Sequence, residues 1–155
     1  MTTIGSYLKD DHARCDALFA TVQASVKQGH WAQAIAGFAC FSAALERHMT
    51  MEETVMFAAL EKYIGRAAGP TSVMRTEHRY MRGIMVRLAE SIEQRHPDYF
   101  FNHADTLEIL TRQHDLKEEA MLYPMADRVL ADLQYEIINA MDAVGVVEST
   151  VIELA

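Results

Sequence analysis

Laid on itself with a shift of 66 residues, the chain matches His12 with His78, His30 with His96 and His48 with His114. Glu52/Glu118, Glu53/Glu119, Ser25/Ser91 and Gln28/Gln94 fall into the same register without a gap. With seven His in 155 residues, composition alone supplies about 0.2 His pairs at any one shift. Three occur. The chain is therefore two copies of one unit, and any fold for it must accept a pseudo-two-fold relation between them.

Each copy has the pattern of a helix hairpin. Ile4, Leu8, His12, Cys15, Leu18, Val22 and Val26 recur at steps of three or four, the buried face of a helix that ends near Gly29. A second helix carries Trp31, Ile35, Phe38, Leu45, His48, Glu52, Val55 and Ala59 and closes near Gly65. "GRAAGPTS" reads as a loop, with Thr71 or Ser72 as the next N-cap. A third helix runs through Met74, His78, Met81, Met85, Leu88 and Ile92, and Pro97 suits the first turn of a fourth. That fourth carries Phe100, His103, Leu107, Leu110, His114, Glu118, Met121 and Met125, and Pro124 inside it should kink its last turns. A fifth, from about Leu133 through Ile137, Met141 and Val144 to Val151, is weakened by Gly145. The fold class is all-α: an antiparallel up-down four-helix bundle of two hairpin repeats, with an extra C-terminal helix. The bundle should occupy about residues 2–131 and the last helix about 133–153, in one domain spanning 1–155.

The histidine spacing sets a level within that bundle. His30 lies 18 residues from both His12 and His48, and His96 lies 18 from both His78 and His114. With the turns near His30 and His96, the flanking histidines stand at one height, about 27 Å from each turn at 1.5 Å per residue. Four inward histidines then share a level, and Glu52 and Glu118 lie one helical turn further on. The third helix starts only about seven residues before His78, so the loop from Gly65 to Thr71 should run back along the bundle.

A net charge of -8 without a Lys/Arg cluster argues against nucleic acid or an anionic membrane as partner. No apolar stretch reaches spanning length and the start lacks signal-peptide features, so a cytoplasmic protein is expected. Cys15 and Cys40 form no CxxC pair and read as buried, reduced thiols. The sequence names no protein partner, and monomer and homodimer are both compatible with it.

Six buried polar groups at one level need partners, because each unsatisfied one costs roughly 1–3 kcal/mol and charged ones more. Hydrogen-bonded His–Glu pairs would satisfy them, but metal ions satisfy all six at once. Four imidazoles and two carboxylates exceed the four ligands of a structural zinc site. Two ions fit the count, each with two His, sharing two bridging carboxylates and a solvent-derived bridge. Imidazole with carboxylate suits iron, and also manganese or zinc. Open coordination positions would admit a small diatomic or a peroxide.

A lone His, then "HMTMEE", "EH" and "HDLKEEAMLYP", resembles the hemerythrin-like HHE cation-binding family over roughly residues 8–130. The resemblance implies that His12, His48, Glu52, His78, His114 and Glu118 bind a non-haem di-iron centre, oxo- or hydroxo-bridged, with Glu52 and Glu118 bridging. Oxygen-carrying hemerythrins use five histidines, two of them a turn apart on the third helix, where this chain has Met74 and Arg82 either side of His78. Their last-helix carboxylate is an Asp five residues after its His, whereas Glu118 follows His114 by four. The four-His, two-Glu set is closer to the di-iron domain of iron–sulfur cluster repair proteins. Those carry a short Cys-containing N-terminal domain, which this chain is expected to lack.

Other residues have quieter readings. His103 is about 16 Å along the helix from His114, too far to share its site, and suits a core histidine with one partner. His30 and His96 suit helix caps. Asp11 and Glu77 precede matched histidines and Glu53 and Glu119 follow the matched glutamates, so all four are candidates for hydrogen bonds to ligands or for solvated positions. Cys15 matches Met81, which favours packing, and Phe57 matches Tyr123, whose hydroxyl could reach the site. Three functions follow. The first is a di-iron protein binding O2, NO or peroxide for sensing, storage or stress response. The second is an enzyme for peroxide breakdown or iron–sulfur cluster repair, and the third a metal-stapled interaction module.

Overall fold

The computed structural model describes residues 1–66 and 69–145. Helix α1 (Ile4–Lys27) opens on a capping box, Thr3 Oγ1 accepting from the Ser6 amide and Ser6 Oγ from the Thr3 amide, both at 2.9 Å. It pairs with α2 (Trp31–Met51), and α4 (Pro70–Glu93) pairs in the same way with α5 (Pro97–Lys117). The two hairpin turns are conformational copies. Gln28, Gly29 and His30 donate backbone bonds to residues four, three and five back, and Gln94, Arg95 and His96 do the same. The central residue of each turn is left-handed, with φ of 73° at Gly29 and 52° at Arg95. Only the first copy uses the residue that adopts this conformation freely.

Neither long rod continues as plain α-helix beyond the polar level. α2 passes through a π turn at Glu52–Met56 into α3 (Phe57–Ile64). α5 passes through a second at Glu118–Leu122 into α6 (Tyr123–Val129). The amides of Phe57 and Tyr123 bond the carbonyls of Glu52 and Glu118, five residues back. A turn closed this way brings the fifth residue over the first and rotates everything beyond it. The buried positions become Met56, Phe57 and Leu60, and Leu122, Tyr123 and Ala126. The Val55/Ala59 and Met121/Met125 stripes expected from α spacing are displaced, and Met121 is 69 % exposed. Pro124 lies in the first turn after this break, where its missing N–H costs little. The first copy makes the same π turn with Ala58 in that place, so the irregularity does not come from the proline.

Several local expectations are corrected. Gly69, not Thr71 or Ser72, caps α4, because Pro70 is preset for the first helical position and draws the start forward. Gly65 closes α3 at φ 79°, and a Cβ on Gly69 would come within 3.2 Å of the Gly65 carbonyl. The two ends of the loop therefore abut, while residues 67–68, and with them the loop path expected to run back along the bundle, lie outside the described residues. Cys40 is exposed rather than buried. Ile35 is 42 % exposed and Ala34 takes its core position. His103 is half-buried, its ring edge against Tyr99 at a centroid distance of 4.7 Å. His96 Nδ1 caps α5 by accepting from the Tyr99 amide at 3.0 Å, but His30 makes no such side-chain bond.

A 3-10 turn (Ala131–Leu133) leads into α7 (Gln134–Ala143), which ends at Ala143. The remainder of the expected last helix, Val151 included, lies outside the described residues. α7 packs on the Glu52–Met56 turn. Arg47 Nε donates to the Val144 carbonyl at 2.8 Å, and the Tyr7 hydroxyl donates to Asp142. The apolar core is split in two by the polar level. Phe19, Phe41, Leu88 and Phe100 lie on the hairpin-turn side; Leu8, Met56, Phe57, Leu122 and Met141 lie on the other. Among the described residues no helix is long and apolar enough to cross a membrane.

Candidate metal centre

Glu52 and Glu118 sit at the middle of the molecule, fully buried, each at the first position of a π turn. Around them His12 comes from α1, His48 from α2, His78 from α4 and His114 from α5, none more than 6 % exposed. Glu52 Oε1 lies 3.3 Å from His48 Nε2 and 3.2 Å from His78 Nε2. Glu118 Oε1 lies 3.2 Å from both His12 Nε2 and His114 Nε2. The six residues form two groups whose donor atoms all fall within 4.8 Å of one another. One group is His12, His48, Glu52 and Glu118, and the other is Glu52, His78, His114 and Glu118. Both glutamates belong to both.

Despite these short distances, His48 Nε2, Glu52 Oε1 and Glu118 Oε2 are buried and make no directional hydrogen bond. His78 Nε2 and His114 Nε2 stand 3.2 Å apart, and with the proton of each ring on Nδ1 both are acceptors and neither can donate to the other. Donor atoms gathered closely but not aimed at one another converge on common points between them. An orphaned buried acceptor is costly in a protein interior, and a cation at such a point would satisfy several at once. The buried His and Glu groups thus fit the binding of metal ions.

A ring of carboxylates orients the imidazoles. His48 Nδ1 is 2.8 Å from Asp11, His114 Nδ1 is 2.8 Å from Glu77, His78 Nδ1 is 2.7 Å from Glu53, and His12 Nδ1 is 2.8 Å from Glu119. The ring obeys the repeat: Asp11 and Glu77 precede one histidine but hold the histidine of the adjacent helix. Holding the proton on Nδ1 leaves each Nε2 lone pair directed inward, the usual arrangement for metal-bound histidine. Basic side chains lie outside this ring. Arg14 pairs with Asp11 at 3.0 Å, Arg82 with Glu53 at 2.7 Å, Lys117 with Glu77, and Lys9 lies 4.0 Å from Glu119.

The electrostatics show how strongly the centre favours positive charge. Burial opposes charge on His48, His12 and His78, yet neighbouring carboxylates raise the pKa of all three. The same balance lifts His114 to about 9, through Glu118 above all. Burial works against Glu53 as well, but His78 and Arg82 bring it down to about 2. Glu52, despite full burial, is held well below the usual carboxylate range by His48 and His78. Protons on imidazole and metal ions compete for the same nitrogens, so an environment that retains one also attracts the other.

Two residues complete the centre that the sequence did not single out as certain members. The Tyr123 hydroxyl donates to Glu52 Oε2 at 2.7 Å and lies 3.1 Å from both Glu118 Oε1 and His12 Nε2. It reaches there because the π turn stacks it over Glu118. Asp115, next to His114 on the helix, has a carboxylate oxygen 3.2 Å from His12 Nε2, and burial raises its pKa to about 6. No repeat signal marks it, because its mate is Met49.

A family model described as the hemerythrin HHE cation binding domain matches residues 3–140 of this chain. Comparison with curated proteins and with solved structures returns no match.

Proposed function

We infer that this chain, which belongs to the hemerythrin HHE cation-binding family, is a non-haem di-iron protein that binds a small ligand of the O2, NO or peroxide class. His12 and His48 would hold one iron and His78 and His114 the other, with Glu52 and Glu118 bridging. The observation that carries this reading is the membership of both glutamates in both four-residue groups. A single tetrahedral ion would use only four of the six donors.

When bound, the pair of ions would supply redox-active centres with open coordination positions for a small ligand. The chain's own residues prepare that place. Asp11, Glu53, Glu77 and Glu119 fix the tautomer and direction of the imidazoles. Tyr123 donates its proton to Glu52 and so fixes one carboxylate oxygen. Phe57, stacked at 5.7 Å on His78, and the two apolar core halves exclude bulk water. Sensing, storage and stress response are the roles compatible with such a centre.

A second reading is an enzyme for peroxide breakdown or nitrosative repair. It is favoured by Asp115, a carboxylic acid group 3.2 Å from His12 Nε2 that burial pushes up to about 6 in the metal-free chain. The deciding measurement is metal content with optical spectra of the anaerobically reduced protein exposed to O2 or NO. About two irons per chain and new near-UV and visible bands are expected from a pair with open positions. Two tightly held zinc ions and no response to either gas would leave only a metal-stapled module. Sustained turnover of peroxide would select the enzyme.

A further inference from the structure

The groove between α1 and α5 and the groove between α2 and α4 are equivalent positions of the two-fold bundle. All seven residues lining the α2–α4 groove are matched, at the shift of 66, by residues lining the α1–α5 groove. The two have nevertheless diverged. At three facing positions the α2–α4 groove has Arg82, Leu45 and Met49, where the α1–α5 groove has Asp16, Thr111 and Asp115.

The divergence changes what each groove reaches. In the α2–α4 groove Leu45 and Met49 are buried, and Arg82 is tied to Glu46 and Glu53 at 3.0 and 2.7 Å. No histidine or glutamate of the metal centre lines that groove. The α1–α5 groove is larger, about 570 Å³ against about 230 Å³. It shares Asp16, Phe19, Thr111 and Asp115 with an inner cavity of about 30 Å³. That cavity is lined by His12, His48 and His114. One of them, His48, is 3 % exposed and its Nε2 has no hydrogen-bond partner.

We propose that the α1–α5 seam is the route by which a divalent metal ion enters the centre, guided by Asp16 and Asp115 toward the unpartnered His48 Nε2. The mouth is predominantly acidic, with Glu108 and Glu119 beside these two and Arg112 as the one basic group lining it. Arg112 is itself paired with Glu108 at 3.2 Å. Carboxylates along a narrow low-dielectric path concentrate cations and speed their arrival by about 10- to 1000-fold. The inner cavity accommodates an ion with little of its hydration shell, which Asp115 and then the imidazoles replace. The α2–α4 seam offers no such acidic path: its arginine is neutralised by Glu46 and Glu53, and the other two positions are apolar. The loading order follows: the position formed by His12 and His48 fills from solvent first.

This route rests on the dinuclear reading, and its test separates the two. Metal-free protein is mixed anaerobically with ferrous ion in a stopped-flow instrument, with a chromophoric chelator reporting the iron still free. Final iron content is measured separately. The variants are Asp16→Asn, and Thr111→Leu with Asp115→Met, which installs the residues of the sealed seam. Both should load at least about tenfold more slowly at low ionic strength, and Asp16→Asn, which lies outside the centre, should reach the wild-type final content. Added salt should slow the wild type more than either variant, each of which keeps three of the four mouth carboxylates. Loading of both variants at the wild-type rate overturns the route. A final content reduced by half in the Thr111→Leu, Asp115→Met protein also overturns it, since Asp115 would then be a ligand. Thermal melts of the metal-free variants establish that they are folded, and Asp16→Asn tests the route even if the double variant is not. Wild-type protein that takes up no iron refutes the dinuclear reading itself.

Discussion

His48 Nδ1 and Asp11 Oδ2 lie 2.8 Å apart although 37 residues separate them, and His114 repeats the contact with Glu77 at the same distance. Each of these carboxylates precedes one histidine and orients another, so adjacent helices are tied together at the metal level. If the contacts fix imidazole direction, Asp11→Asn and Glu77→Gln should each weaken metal binding by about 10- to 100-fold. Helix content should not change. Competition with a chelator of known affinity checks this, and undiminished affinity in both variants would show that the ring is only a solvation shell.

Removal of a shared ligand and of an unshared one should differ. Glu52 and Glu118 belong to both groups, whereas His12 belongs to one. Glu52→Ala is therefore expected to abolish binding of both ions, and His12→Ala to reduce the content to about one per chain. Metal analysis after gel filtration distinguishes the cases. Equal losses in the two variants would contradict the bridging assignment.

The helices and the six polar residues at one level were legible because a helical stripe and an exact repeat are strong one-dimensional signals. His103 shows the limit of the first: it fits the stripe by spacing, yet it is half-buried against Tyr99. The two π turns were not legible, since α periodicity assumes no inserted residue, and they are what moves Phe57 and Tyr123 into the core. Asp11, Glu53, Glu77 and Glu119 were visible as candidates, but only packing of adjacent helices shows which histidine each one holds. Asp115 carries no repeat signal, because its mate is Met49 and its role breaks the symmetry.

Tyr123 illustrates what the π turn contributes. Its hydroxyl is fully enclosed and donates to Glu52 Oε2 at 2.7 Å. Tyr123→Phe leaves that oxygen without its donor, a loss of about 1–3 kcal/mol in the metal-free protein. With metal bound, the ion would satisfy the carboxylate and the difference should shrink. Urea melts of the two forms, with and without metal, measure it. A loss that is equal in both forms would show that bound metal does not satisfy that Glu52 oxygen.

Arg95 holds a left-handed conformation, φ 52°, in the turn where the first copy has Gly29. The strain of a side chain there is about 1–2 kcal/mol, and glycine returns part of that as added freedom of the unfolded chain. Arg95→Gly should stabilise the protein by about 0.5–1 kcal/mol, whereas Gly29→Ala should destabilise it by a similar amount. Opposite shifts in melting temperature are the expected result, and a destabilising Arg95→Gly would mean that the arginine side chain contributes contacts worth more than the strain.

The two cysteines should be chemically distinct. Cys40 is exposed, while Cys15 is buried beside the inner cavity, and burial pushes its thiol up to about 11. At pH 8 such a group is about one part in a thousand thiolate, rising tenfold with each pH unit below its pKa. Iodoacetamide should therefore modify one cysteine in the folded chain and both in denaturant, with peptide mapping placing the first label on Cys40. Rapid labelling of Cys15 in folded protein would show that the cavity between α1 and α5 opens to molecules larger than an ion.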